Sequence, residues 1–341
     1  MKTFLINLIT VGLPLALGVY VIWYQYNLLS LQQIENIKQS FREADYFWVW
    51  VSVIIGLLSH VSRAYRWKYM LAPLNYQPRL LNSFFAVMIS YIANLAFNRV
   101  GEATRCAVMT KYEGAPFGKL FGTVIAERVA DLVILALIIL VVVLIQLDVI
   151  GGLVSQLLNQ YLQDRPLSGL LIKGGIALML VGVGSWLLWR LVGHSDHPVF
   201  ARARASMAGL MDGILAIIRM EDNWKFILHT VFIWAMYVLM FWTPFLSMPG
   251  TANASFGAVL SSFVVASMSI AVVQGGIGVY PVAVGQALIL YGIPQEEGLA
   301  LGWLVWTAQT LMLVMFGGVS LLLMPLYNRG RKNTLTADNE V

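Results

Sequence analysis

The chain has 341 residues, 59% of them hydrophobic and 11% charged, with a mean hydropathy of +0.75. Soluble domains carry about 25% charged residues, so this composition excludes a soluble globular protein and describes an all-α polytopic membrane protein. The net charge of +5 does not point to nucleic acid, because the basic residues cluster beside apolar stretches, as membrane topology requires.

The first predicted element is the apolar run 4–24 after Lys2. It is long for a signal-peptide core and has no small-x-small cleavage site before the polar stretch 25–45, so it reads as a retained span. Further spans of about 20 residues are predicted at 46–62, 119–147, 168–192, 226–247 and 298–325. Two apolar regions are interrupted. Region 80–112 breaks at Asn98-Arg99-Val100-Gly101-Glu102, and region 254–293 breaks at Gln274-Gly275-Gly276-Ile277-Gly278. Glycines and polar residues at mid-membrane predict re-entrant or broken helices, tolerated only where protein or a water-filled cavity covers the backbone. Loop 193–225 repeats Phe200, Ala203, Met207, Leu210, Met211 and Ile214 at helical spacing; it reads as an interfacial helix or a partner-docking helix.

The expectation is therefore six full spans plus two broken regions, about eight membrane segments, in one domain over 1–328 with a disordered tail at 329–341. Lys and Arg concentrate in 60–80, 193–225 and the tail, and are sparse in 148–167 and 248–253. That asymmetry places both termini in the cytoplasm, in the inner membrane of a bacterium or archaeon. Each half, 4–147 and 168–325, reads as two spans, an interrupted region and one span. The halves start from opposite sides, which makes an inverted-topology repeat with a substrate site at its interface.

The charges at the first break single that segment out. Arg99, Glu102 and Arg105 follow one apolar stretch; Glu127, Arg128 and Asp131 begin the next. A charge at the bilayer centre costs on the order of 2.5–3.5 kcal/mol even on a lenient scale. These six must pair, line a wet cavity or sit at headgroup level. Arg99 and Arg105 have the guanidinium geometry that grips phosphate bidentately. Glu127 and Asp131 are four apart and share a helix face with partners at that spacing, either as a cavity wall or as a packing network. Arg63 and Arg66 are topology anchors or further headgroup contacts. Asn94 and Asn98 are placed to bond backbone groups freed at the break. Gly101, Gly275, Gly276 and Gly278 permit tight turns, and Gln274, Tyr280 and Gln286 are candidates for the second-half cavity.

With these residues in view, the chain resembles the flippase-like family, also described as the lysylphosphatidylglycerol synthase transmembrane region. The likeness rests on Arg63-Ala64-Tyr65-Arg66-Trp67, on Asn94 followed by Arg99-Val100-Gly101-Glu102-Ala103-Thr104-Arg105, on Glu127-Arg128-Val129-Ala130-Asp131, and on Gln274-Gly275-Gly276-Ile277-Gly278. A family proline is replaced by Phe97, another by Gln274, and a family glutamate by Pro281. The resemblance implies handling of polar-headed lipids. Its best-known members join this unit to a cytoplasmic synthase that makes aminoacyl phosphatidylglycerol. This chain reaches Val341 without one, so it is not expected to make such lipids by itself.

The expected function is binding an anionic or polar-headed phospholipid or glycolipid in an intramembrane cavity and moving it between leaflets. One alternative is a non-transporting subunit that scaffolds a glycosyltransferase or lipid-modifying enzyme; another is a headgroup enzyme. Gly114-Ala115-Pro116-Phe117-Gly118-Lys119-Leu120 fails as a P-loop, being one residue short and lacking Ser or Thr after Lys. None of His60, His194, His197 and His229 has a partner at metal-ligand spacing. No cofactor or metal is expected, and a transporter is expected rather than an enzyme.

Overall fold

The computed structural model describes residues 13–97, 100–147 and 219–329, with 152, 179 and 217. The described residues form helices joined by turns, with no strand among them. The chain divides into two compact units, one of Met1–Ile134 with Met220–Val341 and one of Leu135–Arg219. The contacts described below lie in the first; the helix Phe117–Ile145 begins there and its residues 135–145 belong to the second.

The helices are α1 Leu13–Leu28, α2 Leu31–Glu43, α3 Tyr46–Leu71, α4 Leu80–Ala96, α5 Gly101–Glu113, α6 Phe117–Ile145, α7 Asn223–Trp242, α8 Pro249–Ala252, α9 Phe256–Val272, α10 Val279–Ile289 and α11 Gln295–Tyr327. Among the described residues, four stretches are long and apolar enough to cross a membrane: Tyr46–Leu74, Phe117–Ile145, Asn223–Ser247 and Gln295–Tyr327. They match four of the six expected spans. The first expected span is represented by the 16 residues of α1; span 168–192 and nearly all of loop 193–225 lie outside the described residues.

One boundary expectation is corrected. Residues 60–71 are not loop: α3 runs unbroken to Leu71, and Arg63 and Arg66 are buried on it. A buried, paired arginine satisfies the membrane without ending the helix, so charge was a poor boundary marker here. The polar stretch 25–45 also holds a helix, Leu31–Glu43. Ser30 accepts from Gln33 N at 3.2 Å while the Gln33 side chain accepts from Ser30 N at 3.0 Å, a capping box that starts α2. This helix docks on α11, with Gln33 and Asn36 each donating to Glu296 at 3.4 Å.

Both interrupted regions fold as helical hairpins. In the first, α4 has 17 residues and α5 has 13, about 25 and 20 Å at 1.5 Å per residue. Their free ends meet in a polar knot. Asn82 donates to Glu113 at 2.5 Å and exchanges hydrogen bonds with Asn328 at 3.1 and 2.9 Å, while Arg79 donates to Asn328. In the second, α9 has 17 residues and α10 has 11. Helix α11 braces both hairpins through small residues that allow backbones to approach. Its Gly302 lies against Pro281 of α10, and its Gly317 against Ile92 and the Met88 carbonyl of α4. Helix α3 packs along α7, with Ser52 donating to the Met240 carbonyl at 2.6 Å.

Candidate functional site

Helical spacing assembles the charged cluster. His60, Arg63, Arg66 and Trp67 fall on one side of α3, and Thr123, Glu127 and Asp131 repeat every four residues along α6. Glycine and proline set the join before α6: Gly114 ends α5 in the left-handed region at φ 73°, and Pro116 follows.

Glu127 is the hub. It is fully buried and takes ion pairs from Arg63, from Arg66 at 3.1 Å and from Arg105 at 3.0 Å. Asp131 receives Arg63 at 2.9 Å and Arg66 at 3.2 Å. Arg66 also donates to Thr230 at 2.8 Å, and Arg63 to the Tyr237 hydroxyl at 3.1 Å. The Arg105 guanidinium lies 3.8 Å from the centre of the Trp67 ring, whose indole is fixed by a 2.8 Å bond to Thr123. A half-exposed pair completes the cluster: Arg128 binds Glu102 at 3.3 Å and reaches Asp131 at 3.6 Å. Three buried guanidiniums thus share two buried carboxylates. Pairing of this kind is what makes buried charge tolerable, since removing one partner strands the others.

The predicted residues Arg63, Arg66, Arg105, Glu102, Glu127, Arg128 and Asp131 therefore meet in one network. Asn94 joins it at the break: its carbonyl accepts from Gly101 N at 2.7 Å, and its amide approaches Glu102 at 3.5 Å. Arg99 and Asn98 lie outside the described residues. The arginines expected to face a headgroup, Arg63, Arg66 and Arg105, are 0–2% exposed and spend their charge on Glu127 and Asp131.

Beside the network is a cavity of about 410 Å³. Its walls come from α3 (His60), α4 (Tyr91, Asn94), α5 (Glu102), α7 (Trp234, Tyr237), α9 (Phe263, Ser267), Gly275 of the second break, α10 (Tyr280) and α11 (Trp306, Gln309). One carboxylate and no lysine or arginine line it. Network and cavity share Asn94, Glu102 and Tyr237, and the Tyr237 hydroxyl lies 3.2 Å from that of Tyr91. The volume falls in the lower part of the usual range for ligand sites, about 300–1,000 Å³.

In the second break, Gly275, Gly276 and Gly278 adopt φ of 64°, 68° and 71°. Gln274 contributes backbone to this turn. The Gly275 carbonyl accepts from Trp306 Nε1 at 2.7 Å, and Gly278 has no side chain to hold off Gly18 of α1. Tyr280 and Gln309 both line the cavity. Gln286, expected at the cavity, is instead exposed on α10 and outside the lining. Sequence reasoning missed His60, Tyr91, Trp234, Tyr237, Trp306 and Gln309. Aromatic residues in apolar helices look the same whether they face lipid or a cavity, and only packing separates them. Among the described residues, no group of three His, Cys, Asp or Glu side chains is placed to hold a metal ion.

The family model described as Lysylphosphatidylglycerol synthase TM region matches residues 11–318. A UPF0104 membrane protein of Methanocaldococcus jannaschii is 33% identical over 87 residues, 25% of this chain and 26% of the relative. The matched part thus spans about a quarter of that relative's length. No solved structure matches.

Proposed function

The chain belongs to the lysylphosphatidylglycerol synthase TM region family, and we propose that it binds a polar-headed lipid in the cavity and moves it between leaflets. The observation that carries this reading is the position of the cavity. Both helix breaks border it, the first through Asn94 and Glu102 and the second through Gly275 and Tyr280. Broken helices at a repeat interface are where membrane transporters place substrates.

In this reading both hairpins enter the bilayer, and the two halves form an inverted repeat in the inner membrane with cytoplasmic termini. The order long helix, hairpin, long helix occurs twice, as α3, α4–α5, α6 and as α7, α9–α10, α11, which supports the repeat. Roles divide differently from a simple arginine grip. Arg63, Arg66 and Arg105 with Glu127 and Asp131 fix the first hairpin against α3 and α6. The headgroup sits on the cavity side, against Glu102 and Asn94.

The test is reconstitution in liposomes with acyl-chain-labelled lipids, reading the fraction of label reduced by external dithionite. The native protein raises that fraction above the outer-leaflet share. Ser267→Phe, which fills the cavity, returns it to the protein-free value while the purified variant keeps its melting temperature. Equal translocation by native protein and Ser267→Phe would sink the cavity reading.

A further inference from the structure

We propose that Arg128 holds the phosphate of an anionic lipid on the exposed face of α6, at a site outside the cavity. The charge balance of the network carries this. Four arginines, Arg63, Arg66, Arg105 and Arg128, are linked by ion pairs to three carboxylates, Glu102, Glu127 and Asp131. Among the described residues the linked set therefore carries one positive charge in excess. The excess is fixed. An arginine does not deprotonate in a protein, and protonating a carboxylate enlarges the imbalance. A net charge in an apolar medium is costly, and an anion from outside the network relieves it.

Of the four arginines, Arg128 is the one placed to meet that anion. Its side chain is 43% exposed, whereas Arg63, Arg66 and Arg105 are buried. Its Nε pairs with Glu102 and its Nη1 lies 3.6 Å from Asp131, while Nη2 has no hydrogen bond or ion pair among the described residues. The surroundings say what kind of anion arrives. Phe121, Ile125, Arg128 and Leu132 fall at helical spacing on one face of α6, and the three apolar members are exposed. On a span with a hydropathy of 3.0, such a face meets acyl chains, so the anion is one that carries its own. A guanidinium edge matches phosphate oxygens. The depth is unusual for a headgroup. Lys119 is exposed in the first turn of α6, and Arg128 follows about 14 Å further along the axis, well inside a hydrocarbon core of about 30 Å. An arginine at that depth draws headgroups and water inward. A phosphate on Arg128 has thus left the plane of its leaflet. Its neighbour Glu102 also lines the cavity, yet the site fills whether or not lipid crosses there.

The experiment uses the full chain purified in a maltoside detergent. Dioleoyl phosphatidic acid, dioleoyl phosphatidylcholine and inorganic phosphate are added in turn, reading retained lipid by native mass spectrometry and melting temperature. One phosphatidic acid per chain is expected, retained at least tenfold over the zwitterionic lipid, which brings no net charge. Inorganic phosphate at the same concentration leaves the melting temperature unchanged. Arg128→Gln leaves three arginines against three carboxylates and lowers phosphatidic acid retention about tenfold. Glu102→Gln frees Arg128 and adds to the excess charge, so retention rises. A pair that serves only to hold helices together predicts lower stability in both variants and unchanged retention in each. Equal retention by native protein and Arg128→Gln, weaker retention by Glu102→Gln, or stabilisation by inorganic phosphate equal to that by the lipid would overturn the proposal. Should Arg128→Gln fail to fold, Glu102→Gln against native protein decides. The outcome is separable from translocation: selective retention by a protein that moves no lipid in liposomes sinks the transport reading and leaves this site standing.

Discussion

The two helix breaks solve one problem by different means. At the first, a side chain does the work: Asn94 on α4 accepts from the backbone of Gly101 on α5, in place of the side-chain cap that Val100 cannot supply. Its surroundings are charged, with Glu102 and Arg128 alongside. At the second, the backbone does the work. Three glycines take left-handed φ values that other residues adopt only at a cost, and a tryptophan from α11 donates to the carbonyl of Gly275. The first break is wired to a network that reaches α3, α6 and α7; the second is a local turn braced by α1 and α11. A break of the first kind responds to changes in charge, and one of the second kind to changes in shape.

That contrast can be broken most forcefully at Glu127. Glu127→Gln removes the negative charge shared by three buried arginines, and loss of a buried partner costs on the order of 3–5 kcal/mol. Poor recovery or a sharply lower melting temperature in detergent is expected, and adding salt will not restore it because the pairs are shielded from solvent. Gly278→Ala comes next. The new methyl is strained at φ 71° and meets the backbone of Gly18 and, at 2.7 Å, the side chain of Ile22. A loss of about 2–3 kcal/mol is expected from backbone strain and overpacking, visible as protease access to α1. The smallest effect is Asn94→Ala, about 1–2 kcal/mol for one lost cap, read by thermal unfolding. Asn94→Asp keeps the acceptor but sets a second carboxylate beside Glu102. If Asn94→Asp is no worse than native protein, the first break is not charge-sensitive and the comparison fails.

Much of this was legible in the sequence. Charges inside apolar runs located the network, and the two interrupted regions appear where glycine and polar residues fell. The partners were harder. Arg63 and Glu127 are 64 positions apart, and no local pattern assigns one to the other. Counting Arg63 and Arg66 as loop residues followed from treating charge as exposure, which fails when a carboxylate waits on a neighbouring helix. The start of α2 was readable in Ser30 and Gln33 as a cap signature, yet low hydrophobicity hid it. Of the cavity, only Asn94, Glu102, Gly275 and Tyr280 were anticipated; the others are ordinary membrane aromatics and amides until the helices are packed.

The sharing of Glu127 has a consequence for biogenesis. Helix α3 is synthesised first and carries Arg63 and Arg66 in a span of modest hydropathy, 1.4, whereas α6 brings Glu127 and Asp131 in a span of 3.0. A ribosome adds about 5–20 residues per second, so on the order of 3–13 s pass between Arg63 and Glu127. During that interval two arginines have no carboxylate to meet, and release of α3 alone into lipid is unfavourable. Helix α3 is therefore expected to stay at the translocon until α6 emerges and to enter the bilayer with it. Ribosome stalling between the two helices would trap α3 in a crosslinkable, uncommitted state.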